Sequence, residues 1–446
     1  MAYDLTNGNI TKNLLKFALP LMAGNLLQQL YNIADTWVVG RFLGANALAA
    51  VGSSYTLMVF LTSILLGLCM GSGAFFSIQY GRRDDDRLKN GIFLSFLFIG
   101  VITLLLNILV FLGMNAILKF MRVPAEIVPL MREYLFFIFM GIFATFLYNY
   151  FSNLLRAVGN SVTPLIFLAL CTILNIFLDL FFVLVLHWGV RGAAVATVIS
   201  QYVSGIGILL YYYACFPNLR INRQHLRWNH SILKEISALS VLTCLQQSVM
   251  NLGILMVQGL VNSFGTAVMA AFAAAVKIDS FAYMPVQDFG NAFSTFIAQN
   301  YGAGKKERIR SGIKSAVLTS VLFSVFVGAA VCIFAPWLMG LFVDASHADI
   351  ISIGTGYLRI EAAFYFGIGL LFLFYGYFRA VSRPGVSVLL TVISLGTRVA
   401  LAYLLSAVPA IGVTGIWVSI PIGWGLADIA GALLMKKSFK DCIHLP

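Results

Sequence analysis

Charge is what this chain has least of. Asp, Glu, Lys and Arg together make 10% of its 446 residues, where soluble domains carry about 25%. A soluble fold of this size could not cover its surface with so few charges. With 60% hydrophobic residues, 14% aromatic residues and a mean hydropathy of +0.91, the chain reads as a polytopic membrane protein. At roughly 35–40 residues per helical span and its loop, the length holds about a dozen spans. That leaves no room for a sizeable soluble domain or nucleotide-binding module. Cysteine is equally sparse: six residues, none in a C-x-x-C pair. Four lie inside apolar runs and read as small buried hydrophobes, which excludes a disulfide framework or thiolate metal centre. The five histidines, His187, His225, His230, His347 and His444, fall in loops or at the tail, and no H-E-x-x-H or G-x-S-x-G occurs. A membrane-embedded enzyme would need such a constellation at membrane depth, so an enzyme is not expected. Met1 to Lys16 is mixed polar and has no cleavable-signal pattern, and the first apolar run is read as a true span.

Apolar stretches of spanning length begin near Leu14, Ser54, Ile92, Leu135, Pro164 and Ala193, and again near Ile236, Val268, Ile313, Gly356, Val386 and Gly412. The expectation is an all-α membrane protein of twelve transmembrane helices, six in each half, with the second and eighth unusually long. Lys and Arg divide unevenly between the connecting loops. Twenty-one collect on one side and only Arg41, Lys119, Arg122, Arg132, Arg191 and Arg359 on the other, with Lys277 and Arg398 left inside the membrane. By the positive-inside rule, both termini and the central loop are cytoplasmic. The net charge of +12 is then an orientation signal, and nucleic acid is not an expected partner.

The two halves resemble each other when offset by about half the chain. Gln28-Gln29 faces Gln246-Gln247. Gln79, Tyr80-Gly81 and Arg87 match Gln299, Tyr301-Gly302 and Arg308, followed by Gly91-Ile92 and Gly312-Ile313. Arg156-Ala157-Val158 matches Arg379-Ala380-Val381, and Gly189-Val190 with Gly192 matches Gly412-Val413 with Gly415. Each half has an even number of spans, so the halves are parallel repeats about an axis along the membrane normal. Residues 1–215 form a first six-helix lobe, 216–235 a cytoplasmic connector and 236–446 a second six-helix lobe.

A few ionisable residues remain inside the spans. Each costs at least a few kcal/mol at a helix centre, which makes it a functional candidate. Asp35 in helix 1, Asn175 and Asp179 four residues apart in helix 5, and Thr197 in helix 6 fall at similar depth in the outer half of the first lobe. Carboxylate, amide and hydroxyl oxygens suit a proton site, and a hard cation could use the same set. The structural alternative makes Asp35 an interfacial cap and the helix 5 pair a glue between helices. The equivalents of Asn175, Asp179 and Thr197 in the second lobe are Arg398, Ala402 and Ile420, so the acidic set occurs once and was not demanded by the fold. Pro20, upstream of Asp35, permits a bend in helix 1. The second lobe carries Lys277, Asp279 and Asp288 in helix 8, Glu361 in helix 10, Arg398 in helix 11 and Asp428 in helix 12. Ion pairs of Lys277 and Arg398 with these acids are expected there, or an acid facing a substrate cavity. The 37 Phe, 18 Tyr and 14 Met could line a cavity for flat aromatic cations.

Taken together, Pro20 and Asp35 in helix 1, the Lys277-Ile278-Asp279-Ser280-Phe281 segment with Pro285, the Gln299-Asn300-Tyr301-Gly302-Ala303-Gly304 run and the Asn175-x-x-x-Asp179 pair resemble the multidrug and toxic compound extrusion (MATE) family over essentially the whole chain. The resemblance implies two six-helix lobes in a V-like arrangement and export of organic cations coupled to inward H⁺ or Na⁺. It assigns cation coupling to Asp35, Asn175, Asp179 and Thr197, and no cofactor beyond the coupling ion. Other members use acids of helices 7 and 10, but helix 7 has none here. Economy of loops suggests a monomeric, multi-pass protein of a bacterial inner membrane. A lipid-linked oligosaccharide flippase of the same superfamily is the alternative, kept open by Lys277 and Arg398.

Overall fold

A bilayer offers backbone N–H and C=O groups no partner, so apolar runs of this length satisfy themselves as helices. A computed structural model of the chain describes residues 4–121, 123–344 and 346–443, and no strand occurs among them. Arg122 and His444 lie outside the described residues. Within the described residues fifteen α-helices follow in order: α1 (Ile10–Leu43), α2 (Ala45–Arg82), α3 (Asp85–Leu112), the short α4 (Met114–Phe120), α5 (Val128–Met140), α6 (Ile142–Ala157), α7 (Val162–Leu180), α8 (Gly189–Cys215), α9 (His230–Asn262), α10 (Thr266–Gly302), α11 (Lys306–Gly340), α12 (Ala348–Ala362), α13 (Tyr365–Ala380), α14 (Pro384–Ser406) and α15 (Val413–Ile443). Among the described residues nine helices are individually long and apolar enough to cross a bilayer, and the bent pairs α5/α6 (42°) and α12/α13 (52°) bring the number to eleven. With α1, 34 residues long and carrying Asn, Gln and Asp among its apolar residues, the count agrees with the twelve expected spans. The two that the sequence marks as long, α2 and α10, run 38 and 37 residues.

The duplication extends into backbone geometry. Gly44 before α2 and Gly265 before α10 have φ of +86° and +95°, and Gly189 and Gly412 have +61° and +52°. These left-handed turns suit glycine, which has no Cβ to clash. A Cβ on Gly91 or on its counterpart Gly312 would fall 2.3 Å from a ring carbon of Phe75 or Phe296, so the matched glycines each seat a matched ring. The lipid-facing stripe repeats as well: Leu97, Val101 and Leu105 on α3, and Leu318, Leu322 and Phe326 on α11, are exposed at every fourth position.

The chain divides into two compact units, one built on Leu19–Cys244 and the other on Leu5–Ala18 together with Leu245–Pro446. Leu5–Ala18, into the start of α1, groups with the second-half helices, and His230–Cys244, the start of α9, groups with the first-half helices. In unit 1, α2 and α9 approach so closely that a Cβ on Gly67 or Gly71 would sit 2.5 Å or 2.4 Å from the Cα of Cys244 or Ser240. Unit 1 is cored by Phe76, Phe96, Phe146, Phe151 and Tyr212 around Tyr150. The Tyr150 hydroxyl donates to the Ile92 carbonyl at 2.7 Å. In unit 2 Phe272 stacks on Trp417, and Tyr357 meets both edge-on.

Candidate functional site

Helix α7 presents Asn175 and Asp179 on one face, one turn apart, and both are fully buried. Two residues after Asp179, past Leu180, the helix widens into a π-turn over Phe181–Val185. Such a turn opens the backbone spacing beside the carboxylate and is frequent at functional positions. From α8, Thr197 packs against this face. The Asn175 amide is oriented to donate from Nδ2 to Asp179 Oδ2 at 2.9 Å and to accept, at its oxygen, from the Thr197 hydroxyl at 3.3 Å and the Thr197 N–H at 3.2 Å. From α1, Asp35 is 9% exposed, and its carboxyl stands beside that of Asp179. Tyr31, one turn before Asp35, donates its hydroxyl to Thr197 Oγ1 at 3.2 Å.

The four residues singled out in the first lobe thus meet at one point in unit 1, although they come from three helices far apart in the chain. Two carboxylates side by side repel each other, and a proton or a small cation between them relieves that repulsion. Among the described residues, no protein donor bonds Asp35 Oδ1 or Asp179 Oδ1.

Two further residues complete the site. Tyr31 shares a helix face with Asp35, a four-residue spacing visible in the sequence by the same rule that paired Asn175 with Asp179. Tyr134 of α5, buried, stands within electrostatic reach of Asp35, Asp179 and Tyr31. Its only signal in the sequence is Tyr357, its counterpart in the second half at the offset of the repeat. Pro20 lies inside a continuous α1, where the missing N–H leaves one helical bond unmade.

In unit 2 Asp279 and Glu361 are buried side by side. The Tyr365 hydroxyl donates to Asp279 Oδ1 at 2.5 Å and the Tyr357 hydroxyl reaches Oδ2 at 3.5 Å. Glu361 and Tyr365, four residues apart, flank the break between α12 and α13. Among the described residues, Lys277 and Arg398 form none of the ion pairs expected of them. Lys277 is exposed. Arg398 stands near Asp279 and Glu361 with its Nε unbonded and, among the described residues, no carboxylate within ion-pair distance. Tyrosine hydroxyls satisfy the acid instead. Asp288 is buried further along α10, and Asp428 of α15 leaves Oδ1 without a partner among the described residues.

The chain matches the MatE family model twice, over residues 20–181 and 239–404, one match to each half of the duplication. It is 31% identical over 382 residues to a probable multidrug resistance protein, YpnP, of Bacillus subtilis (strain 168), covering 85% of this chain and 84% of that one. A probable multidrug resistance protein, NorM, of Thermotoga maritima is 29% identical over 96% of this chain and 92% of its own. Among solved structures, an outward-facing multidrug resistance MATE family transporter of the MOP superfamily superposes with a TM-score of 0.92 at 25% identity, covering 98% of each chain.

Proposed function

Since the chain belongs to the MATE family of multidrug efflux transporters, we propose that it exports organic, mainly cationic and amphipathic compounds in exchange for inward-moving H⁺, with Na⁺ as the alternative coupling ion. The observation that carries this reading is the contact between the Asp35 and Asp179 carboxyls, closed in by Asn175, Thr197 and Tyr31. A proton taken up from outside lodges between the two acids. Its arrival removes a charge from α1, which rearranges about Pro20 while the substrate leaves outward, and the proton is released on the other side as the cycle closes. One charge moving through roughly 150 mV supplies about 3.5 kcal/mol, enough for a gradient of a few hundredfold without ATP. The reading places the protein in a bacterial inner membrane with both termini in the cytoplasm, which the loop charge imbalance supports.

The test is dye efflux from vesicles under imposed pH and Na⁺ gradients. Wild type responds to one gradient, and Asp35→Asn and Asp179→Asn each lose that response by at least tenfold. Full activity in both variants removes the coupling site, and efflux indifferent to both gradients turns the reading toward the flippase.

A further inference from the structure

The corner between α10 and α11 in unit 2 grips the chain's own backbone. Leu5 is fully buried there, and the carbonyls of four consecutive residues are all taken by side chains of this corner. Gln299 Oε1 accepts from the Leu5 N–H at 3.3 Å, and Asn300 Nδ2 donates to the Leu5 carbonyl at 3.2 Å. Arg308 donates to three carbonyls: to Leu5 at 3.1 Å, to Asn7 at 2.7 Å and to Gly8 at 2.7 Å. Lys305 Nζ donates to the Thr6 carbonyl at 2.7 Å and to Asn7 Oδ1 at 2.9 Å. Bonds from a cationic donor are about twice as strong as neutral ones, and two cations and two amides converge on a strap of four residues. The hold continues into α1. Asn9 caps the helix through the Lys12 N–H at 3.0 Å, and the Thr11 and Ser315 hydroxyls meet at 2.7 Å.

The same corner in the other half serves the same purpose. Arg87, the counterpart of Arg308, binds Glu235 at 2.5 Å. Asn90 donates to the carbonyls of His225 and Arg227, both at 2.8 Å. Each half therefore uses the corner after its second helix to hold the segment that leads into the other half's first helix. For α1 the consequence is particular: its start belongs to unit 2, the helix passes to unit 1 between Ala18 and Leu19, and Pro20 follows immediately.

We propose that the α10–α11 corner is a latch for Leu5–Gly8 that stays closed through the transport cycle, and that Arg308 is a positioning residue, pinning the start of the helix that carries Asp35. This rests on the reading of Asp35 as a coupling residue. Movement of α1 during coupling then begins at Pro20, because everything before it is held.

Two measurements on the full-length protein test the latch. In Arg308→Ala, hydrogen exchange at residues 5–9 accelerates at least tenfold and the transport rate falls several-fold while the dissociation constant for the dye is unchanged; Arg308→Lys restores part of both. Retained protection of the strap, or lost protection with an unchanged rate, overturns the proposal. Should Arg308→Ala fail to fold, a Thr11→Cys/Ser315→Cys disulfide in an otherwise cysteine-free background decides the matter. The cross-linked protein transports at the rate of its reduced form, and a block relieved by reductant overturns the latch. Asp35→Asn serves as the control, with its strap still protected; if that variant and Asp179→Asn are both fully active, the coupling reading fails while the exchange data still report on the latch.

Discussion

Gln79 and Gln299 occupy equivalent places in the two halves and differ in one respect. Gln299 takes the Leu5 N–H, whereas Gln79 is fully buried with neither amide atom bonded among the described residues. A buried polar group without a partner costs about 1–3 kcal/mol, and replacing it by an apolar group of similar shape is neutral or stabilising. Gln79→Leu is therefore expected to leave the melting temperature in detergent unchanged or raise it. Gln299→Leu is expected to lower it and to speed exchange at Leu5. Equal losses from both would show that Gln79 has a partner after all. The same reasoning explains the density of polar atoms around Asp179: in an apolar surround each donor and acceptor needs its place, and Asn175, Thr197 and Tyr31 provide them.

Small residues decide how the elements meet. On α2, Gly71 faces the backbone of α9, and a Cβ there would stand 2.4 Å from Ser240 Cα and 2.5 Å from the Leu239 carbonyl oxygen. Backbone cannot step aside as a side chain can. Gly71→Ala is expected to destabilise unit 1 by about 1–3 kcal/mol. Gly52, on the same helix, has nothing within 4 Å of its Cβ position, and Gly52→Ala should stabilise by about 0.5–1 kcal/mol through helix propensity. Thermal unfolding of the two variants side by side checks the pair, and a similar loss in both would refute the close-approach argument. The bent pairs belong to this scale too. Gly141 and Phe364 mark the breaks at equivalent places in the two halves, so the bend comes with the repeat, while the chemistry placed beside it differs between the halves.

At the scale of the molecule, each unit borrows an element from the other half of the sequence. Unit 1 needs His230–Cys244, whose Glu235 binds Arg87 and whose Ser240 and Cys244 lie on Gly71 and Gly67; unit 2 needs Leu5–Ala18. A chain cut within the connector, between residues 218 and 219, should yield fragments that are unstable when expressed singly and that co-purify and transport when expressed together. A monodisperse, folded fragment from either single expression would count against the exchange of elements. The lobes read from the sequence, 1–215 and 236–446, carry no trace of this, because the strap is recognised through its carbonyls, which every residue type possesses.

Class, span number, duplication and the short set of polar residues that merit suspicion were all legible from local sequence. Lipid makes them so: it tolerates few charges and only self-satisfied backbone, so hydropathy marks the helices and each exception stands out. Which exceptions meet was settled by packing in three dimensions. Asp35 and Asp179 touch, Tyr31 and Tyr134 join them, and Arg398 does not pair as its charge alone would suggest. Hydropathy is a property of neighbours along the chain. A contact between the carboxyls of α1 and α7, or a bond from Arg308 to a backbone carbonyl near the start of the chain, depends on packing that no local pattern records.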